Sequence, residues 1–340
     1  MRLCLLGGTA FLGKYIAEAG LAAGHEVTCV ARGASGPVPK GARHLVLDRS
    51  QLDALSALNE ESFDAVVELT WQPRFAREAL AALSNKTERW CFVSSVSAYA
   101  NHDVSEMDES TQLLDPLDGD DATIEFYGEA KVACEQATIL ARGSRCLILR
   151  PGLIGGPGDV SDRSGAWVAR CAQDPTAPLL VPRSPSSFVQ VIDGRDLAEF
   201  IVVALTNDLV GTFNTVGESV AFSEFVALSR RVGGHTGEVR QVDWPWLKDR
   251  GVQSWAGPQS MACFVAEAEM AGWGSVNGET ARSHGLNLRS LEATITDTLA
   301  DEQLRGLGRA RRAGLSLDRE RQLLAQFSLE ISKGNDQESP

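Results

Sequence analysis

The chain has 340 residues, 44% of them hydrophobic and 23% charged, which is enough to bury a substantial core without staples. Its formal net charge of −13 opposes phosphate backbones and anionic headgroups, so nucleic acid and membrane surfaces are not expected partners. Seven cysteines without a CxxC pair read as buried free thiols of a reducing compartment, and five histidines without HxxxH or HExxH spacing predict no metal site.

No apolar run approaches the ~18 residues that span a bilayer. Met1-Arg2 leads at once into an apolar strand with no leader-type cleavage site, so a cytoplasmic location is expected. Strands are predicted over residues 3–6, 26–30, 44–47, 64–69, 90–93 and 146–149. They alternate with helices over 11–23, 51–58, 76–83 and 124–141. Such alternation implies βαβ units and a parallel sheet with helices on both faces. Beyond Pro151 the texture changes: a stretch rich in Gly, Pro, Asp and Ser runs over 151–165. It is followed by a helix over 166–171, strand pieces near Leu179 and Phe188, a helix over 197–205, a strand over 212–216 and a helical, amphipathic segment over 290–327.

The expected fold class is therefore α/β: a Rossmann-like, doubly wound parallel sheet with a smaller mixed C-terminal substrate lobe. The dinucleotide-binding domain is expected over 1–160, with parts of 188–216 returning to it. The substrate lobe with the C-terminal helices spans 161–331, and 332–340 is a polar, frayed tail.

The first strand runs into Gly7-Gly8-Thr9-Ala10-Phe11-Leu12-Gly13, with a helix after it. A tight turn of this kind lets a pyrophosphate approach the backbone, and the helix N-terminus offers free N–H groups to it. This makes Gly7, Thr9, Ala10, Phe11, Leu12 and Gly13 the cofactor-binding candidates. An acidic residue about 20 positions on would read the ribose of NAD. Arg32 stands there instead, and a guanidinium can fork onto a 2′-phosphate, which favours NADP(H) while leaving NAD(H) open. Stacking on adenine or plain solvation is the other reading of Arg32. Arg49 could assist, and Asp48 could accept from the adenine amine.

The fifth strand leads into Ser94-Ser95-Val96-Ser97-Ala98-Tyr99, and a later helix carries Tyr127 and Lys131 four residues apart, hence on one face. A tyrosine in water is a poor base at neutral pH, but a nearby ammonium favours the phenolate. Tyr127 can then exchange a proton with a substrate oxygen while hydride moves at nicotinamide, Ser95 can bond the same oxygen, and Lys131 can bond the nicotinamide ribose. Between these segments lies the acid-rich stretch 100–123, which reads either as a solvated loop or as a flap.

With these pieces in place, the chain resembles the extended branch of the short-chain dehydrogenase/reductase superfamily, the NAD-dependent epimerase/dehydratase family. The resemblance rests on residues 7–13, DAVVEL at 64–69, FVSSVSAY at 92–99, YGEAK at 127–131, LRPGLIGGPGD at 149–159 and FVQVIDGRDLAEF at 188–200. It looks most like actinobacterial-type reductase or epimerase homologues, whose motif here ends at Asp162-Arg163. The resemblance implies that Ser95, rather than Ser94 or Ser97, is catalytic with Tyr127 and Lys131. It also implies that Pro151, Gly152, Leu153 and Ile154 line the nicotinamide carboxamide, that the segment around Asp193–Asp196 supports the substrate lobe, and that a homodimer forms through the YxxxK helix. The family's dehydratases carry an Asp-Glu pair after the catalytic Ser/Thr; here those positions are Val96 and Ser97, which argues against water elimination.

Substrate-side candidates are Trp71, Val96, Ser97, Arg163 and Trp167. Trp71 either shapes the pocket or packs on Pro73. Trp167, Trp244, Trp246, Trp255 and Trp273 read as core or as stacking surfaces. Arg163 and Arg183 read as anion ligands, at least one of them as an ion pair instead. The leading expectation is an NADP(H)-dependent oxidoreductase interconverting a secondary alcohol and a ketone on a small, sugar-like molecule. The alternatives are an NAD-dependent sugar-nucleotide epimerase and a non-catalytic dinucleotide- or RNA-binding relative.

Overall fold

The structure, a computed structural model, describes residues 1–51, 53–183, 186–266 and 268–337. The chain divides into two compact units. Unit 1 comprises 1–154, 190–218 and 275–289; unit 2 comprises 155–189, 219–274 and 290–340.

Unit 1 is built on a seven-stranded sheet. Its first six strands are β1 (Arg2–Leu6), β2 (Glu26–Ala31), β3 (Arg43–Val46), β4 (Ala65–Glu68), β5 (Arg89–Val93) and β6 (Leu147–Pro151). The sheet order is β3-β2-β1-β4-β5-β6, closed at the far edge by the strand Gly211–Thr215. Every pairing in it is parallel. The order reverses between β1 and β4, the switch point at which doubly wound sheets bind ligands. Alternate residues of β1 enter different cores: Leu3 and Leu5 pack on one side, Cys4 and Leu6 on the other. Burial on both faces explains why the strand reads as an unbroken apolar run. Helices α1 (Phe11–Ala22), α2 (Pro73–Leu83) and α3 (Tyr127–Arg142) connect the strands. The return helix Gly194–Thr206 packs on α1. The segment predicted as a helix over 51–58 is a 3-10 turn, Ala54–Leu58, entered through Asp53 in the left-handed region; residue 52 lies outside the described residues.

Unit 2 contains the helices Ala166–Gln173, Phe222–Val232, Leu291–Arg305 and Leu317–Gln337 and a parallel pair, Leu179–Arg183 with Val239–Asp243. The segment read as helical over 290–327 holds two helices. Ser290 caps the first by accepting from the Ala293 N–H at 3.2 Å, and Gly306, at φ +95°, ends it. The second helix continues to Gln337, into the predicted tail; residues 338–340 lie outside the described residues. The helix Phe222–Val232, which ends at Gly233-Gly234, and the strand Val239–Asp243 were not among the predicted elements.

All seven cysteines are buried and free. Among the described residues, no group of three or more His, Cys, Asp or Glu could hold a metal ion, and no helix is long and apolar enough to cross a membrane.

Candidate active site

The glycine turn joins β1 to α1 at the switch point. Gly7 lies at φ +114°, which side chains rarely adopt. A Cβ on Gly13 would fall on the Gly7 carbonyl oxygen and within 2.9 Å of the Gly8 Cα, so the helix start can close on the turn only with glycine there. Ala10 is the N-cap, with no side-chain hydrogen bond to the helix and no acidic residue in the first turn. The N-terminal N–H groups are therefore uncapped by protein side chains, and the helix dipole is left available to an anion. Thr9 is buried, Ala10 is exposed, and Phe11 and Leu12 are half-buried beside it. This cradle fits a dinucleotide pyrophosphate.

Arg32 follows β2, is exposed, and has no hydrogen bond or ion pair among the described residues. Asp48 lies close enough for Arg32 to favour its carboxylate. Stronger than that charge effect are the bonds from the Ser50 N–H at 3.0 Å and the Ser50 hydroxyl at 2.8 Å, which hold the Asp48 carboxyl below its ordinary range. Arg49 does not assist Arg32. Its guanidinium forks onto Glu68 at 2.9 and 2.8 Å, donates to the Phe75 carbonyl and lies over the Phe75 ring. Glu68 ends β4 almost fully buried, so the pair satisfies both charges and removes Arg49 from any ligand.

Ser95, Tyr127 and Lys131 come together at the carboxyl ends of β4 and β5. Ser95 ends the turn after β5, with its hydroxyl accepting from the Ser97 N–H and donating to the Ser97 hydroxyl, both at 3.1 Å. Tyr127 opens α3, half-buried, its ring 5.7 Å from that of Trp71 at 52°. Lys131, one turn on, is buried and donates to the carbonyls of Thr70 at 2.8 Å and Val93 at 2.7 Å. Its ammonium lies 5.9 Å from the centre of the Tyr127 ring. Gly128 permits this approach: a Cβ there would collide with the Ser97 carbonyl oxygen and lie 2.6 Å from Leu114. Val96 is buried in a small cluster with Tyr99, Met107, Val216 and Val276, so its side chain faces core.

The acid-rich stretch keeps most of its carboxylates exposed, as a solvated loop does, and is tied to its surroundings at a few points. Gln72 clamps Ala122 through two bonds, Nε2 to its carbonyl at 3.0 Å and Oε1 from its N–H at 2.7 Å. Asp120 pairs with Arg77, and Asp121 with Arg74. Glu109 accepts from the Asn214 N–H at 2.8 Å. Tyr99 donates to Asn214 at 2.6 Å and accepts from Arg150, which forks onto Glu135. Burial pushes the Tyr99 phenol up, against Arg150.

Pro151 ends β6. Gly152 donates to the Thr215 carbonyl at 3.3 Å, Leu153 is buried, and Ile154 packs on the sheet core. Asp193 caps the helix Gly194–Thr206, and Asp196 pairs with Arg289 at 2.7 Å. In unit 2, Trp167 is a core residue: buried, its indole N–H bonded to the Ala262 carbonyl at 2.8 Å and its ring edge-on to Phe222. Trp244 packs on Phe264 and Trp246 on Phe327. Arg183 forms an exposed ion pair with Asp243, whereas Arg163 has no ion pair among the described residues. Sequence reasoning missed Thr70, Gln72 and Gly128. Carbonyl contacts leave no local signal, but a glycine directly after a helix-opening tyrosine is a cue for close approach.

The sequence family described as "NAD dependent epimerase/dehydratase family" matches residues 3–216. The chain belongs to that family, within the extended short-chain dehydrogenases/reductases. A curated relative is the chloroplast stem-loop binding protein of 41 kDa b of Arabidopsis thaliana, 24% identical over 252 residues. That match covers 68% of this chain and 63% of the relative, so the chain spans less than two thirds of the relative's length. The UDP-N-acetylglucosamine 4-epimerase of Bacillus cereus aligns with a TM-score of 0.65 at 18% identity, covering 92% of this chain and all of that one. The UDP-glucuronic acid 4-epimerase of the same organism, solved with NAD, aligns at 0.66 and 14% identity, covering 89% of this chain and 99% of that one. At these identities the likeness is one of fold.

Proposed function

We propose that the chain is an NADP(H)-dependent oxidoreductase that interconverts a secondary alcohol and a ketone on a small, sugar-like substrate. The observation that carries the cofactor choice is Arg32. It stands exposed and unpaired at the end of β2, with no carboxylate in the ribose-reading position, and the nearby Glu68 is committed to Arg49. The uncapped start of α1 supports a pyrophosphate, and Arg32 supports a 2′-phosphate.

When bound, the nicotinamide supplies or accepts the hydride. The chain's own residues do the rest. Tyr127 exchanges a proton with the substrate oxygen, and Ser95 turns its hydroxyl hydrogen from the Ser97 hydroxyl to that oxygen and orients it. Lys131 cannot swing away, because two carbonyls hold its ammonium; it keeps a positive charge beside the phenol and one N–H for the ribose. Trp71 covers one side of the Tyr127 ring and narrows the approach to it.

Titrating the protein with NADPH and with NADH, followed by nicotinamide fluorescence and repeated with Arg32→Ala, tests this reading. NADPH preference that collapses in the variant is expected. Equal or better NADH binding, or NAD carried through purification, would refute it. That outcome would favour the second reading, an NAD-dependent sugar-nucleotide epimerase, which the 4-epimerases among the structural neighbours support. The curated relative is a stem-loop binding protein; a net charge of −13 and an intact Tyr127 and Lys131 weigh against a nucleic-acid-binding reading of this chain.

A further inference from the structure

We propose that unit 2 contains an oxyanion receptor, with Arg163 stacked on Trp255, that binds the carboxylate or phosphoryl group of a small organic molecule carrying a ring. The proposal stands independently of the dinucleotide reading, since every residue in it belongs to unit 2. Arg163 is half-buried. Its Nε donates to the Ser161 hydroxyl at 3.1 Å, and its guanidinium carbon lies 5.1 Å from the centre of the Trp255 ring. One edge and one face of the guanidinium are thus fixed. The two terminal nitrogens have no partner among the described residues.

The two carboxylates that closely precede Arg163 in sequence, Asp159 and Asp162, are engaged elsewhere. Asp159 is engaged by the Ser161 N–H at 2.8 Å and by the Ser164 hydroxyl at 2.8 Å. Asp162, although adjacent in sequence, turns to Arg305, Arg309 and the Arg312 N–H. Elsewhere in unit 2, Arg170, Arg183, Arg231 and Arg250 each face a carboxylate. A guanidinium held on one edge and one face, with no carboxylate on it among the described residues, is pre-oriented to receive an anion. Its open pair of terminal nitrogens is the fork that suits a carboxylate or a phosphoryl group.

The backbone around Arg163 is held away from easy conformations. Asp162 at φ +60°, Trp255 at +65° and Cys263 at +61° all occupy the left-handed region, unusual for a tryptophan and a cysteine. All three touch Arg163 or adjoin it: Asp162 precedes it, Trp255 stacks on it, and the Cys263 thiol lies 3.3 Å from its carbonyl oxygen. Strain of this kind persists where surrounding structure enforces it and gathers at ligand clamps. Trp273 stands edge-on to Trp255 at 5.5 Å and extends the aromatic surface.

The test titrates the full chain, without added dinucleotide, with phenyl phosphate, benzoate and uncharged benzyl alcohol, reading tryptophan fluorescence and calorimetry. Saturable binding of phenyl phosphate or benzoate is expected, and whichever binds better identifies the group. Arg163→Gln should raise the Kd about tenfold or more, Arg163→Lys less, and Trp255→Phe should remove most of the fluorescence change while calorimetry still detects binding. Ser161→Ala, which frees the guanidinium without removing it, should weaken binding by a smaller factor. Arg240→Gln should leave binding unchanged, and thermal melts establish that each variant folds. Equal binding of benzyl alcohol, no saturable binding of either anion, or unaltered binding in folded Arg163→Gln would overturn the proposal.

Discussion

Lys131 shows how a single residue couples stability to chemistry. Its two carbonyl partners lie at the ends of adjacent strands, 61 and 38 residues away in the chain. Lys131→Met should strip both carbonyls of their donor, costing about 1–3 kcal/mol of stability as well as activity. Tyr127→Phe removes only the hydroxyl. In that variant kcat is expected to fall about 10²–10⁴-fold with NADPH binding retained, as measured by steady-state kinetics beside a fluorescence titration. Comparable loss of both quantities would contradict a proton-transfer role. Gly13→Ala works through packing instead. The added methyl would meet the Gly7 carbonyl, and it should destabilise the fold by about 1–3 kcal/mol and abolish dinucleotide binding. The Tyr-x-x-x-Lys spacing and the glycine turn were legible because both are local. The choice between Arg32 and Arg49 was not: the two arginines look alike in sequence, and only the distant Glu68 and Phe75 capture one of them.

Among the elements, the loop 155–165 depends most on partners far along the chain. Asp162 is its anchor. Burial works against its charge, but Arg309, the Arg312 N–H and Arg305 outweigh burial and hold the carboxyl below its ordinary range. A carboxyl depressed in the folded state contributes stability that is complete above its unfolded value, about 3.9, and is lost as pH falls through the folded value. Asp162→Asn should therefore cost about 3 kcal/mol near neutrality, with the deficit against the unsubstituted chain shrinking below about pH 4. Urea midpoints at the two pH values measure this, and an equal deficit at both would refute the assignment. The acid-rich stretch 100–123 teaches the same point. Its acids are exposed, as its composition suggests, and in addition Gln72, Arg74 and Arg77 tie it to the start of α2. Hydropathy reports which side chains prefer water, not which cations the fold brings to them.

At the scale of the whole molecule, unit 1 is assembled from three separated stretches of chain. The last of these returns Ala281 and Leu286 to the sheet core and Arg289 to Asp196. A fragment ending at residue 218 should consequently expose apolar surface, bind a hydrophobic dye and lose a cooperative urea transition; a sharp transition would show that 275–289 is dispensable. The amino-acid sequence by itself determined the α/β class, the alternation of the first six strands with helices, the glycine turn and the one-face spacing of Tyr127 and Lys131. Those features follow from short periods, 2 along a strand and 3.6 along a helix, and from turn chemistry within a few residues. Only the tertiary structure decided that Lys131 is caged by carbonyls, that Arg49 is spent and that Arg163 has no ion pair among the described residues. Each of these depends on backbone groups and charges that meet across long separations in the chain, where no local pattern records which partner will arrive.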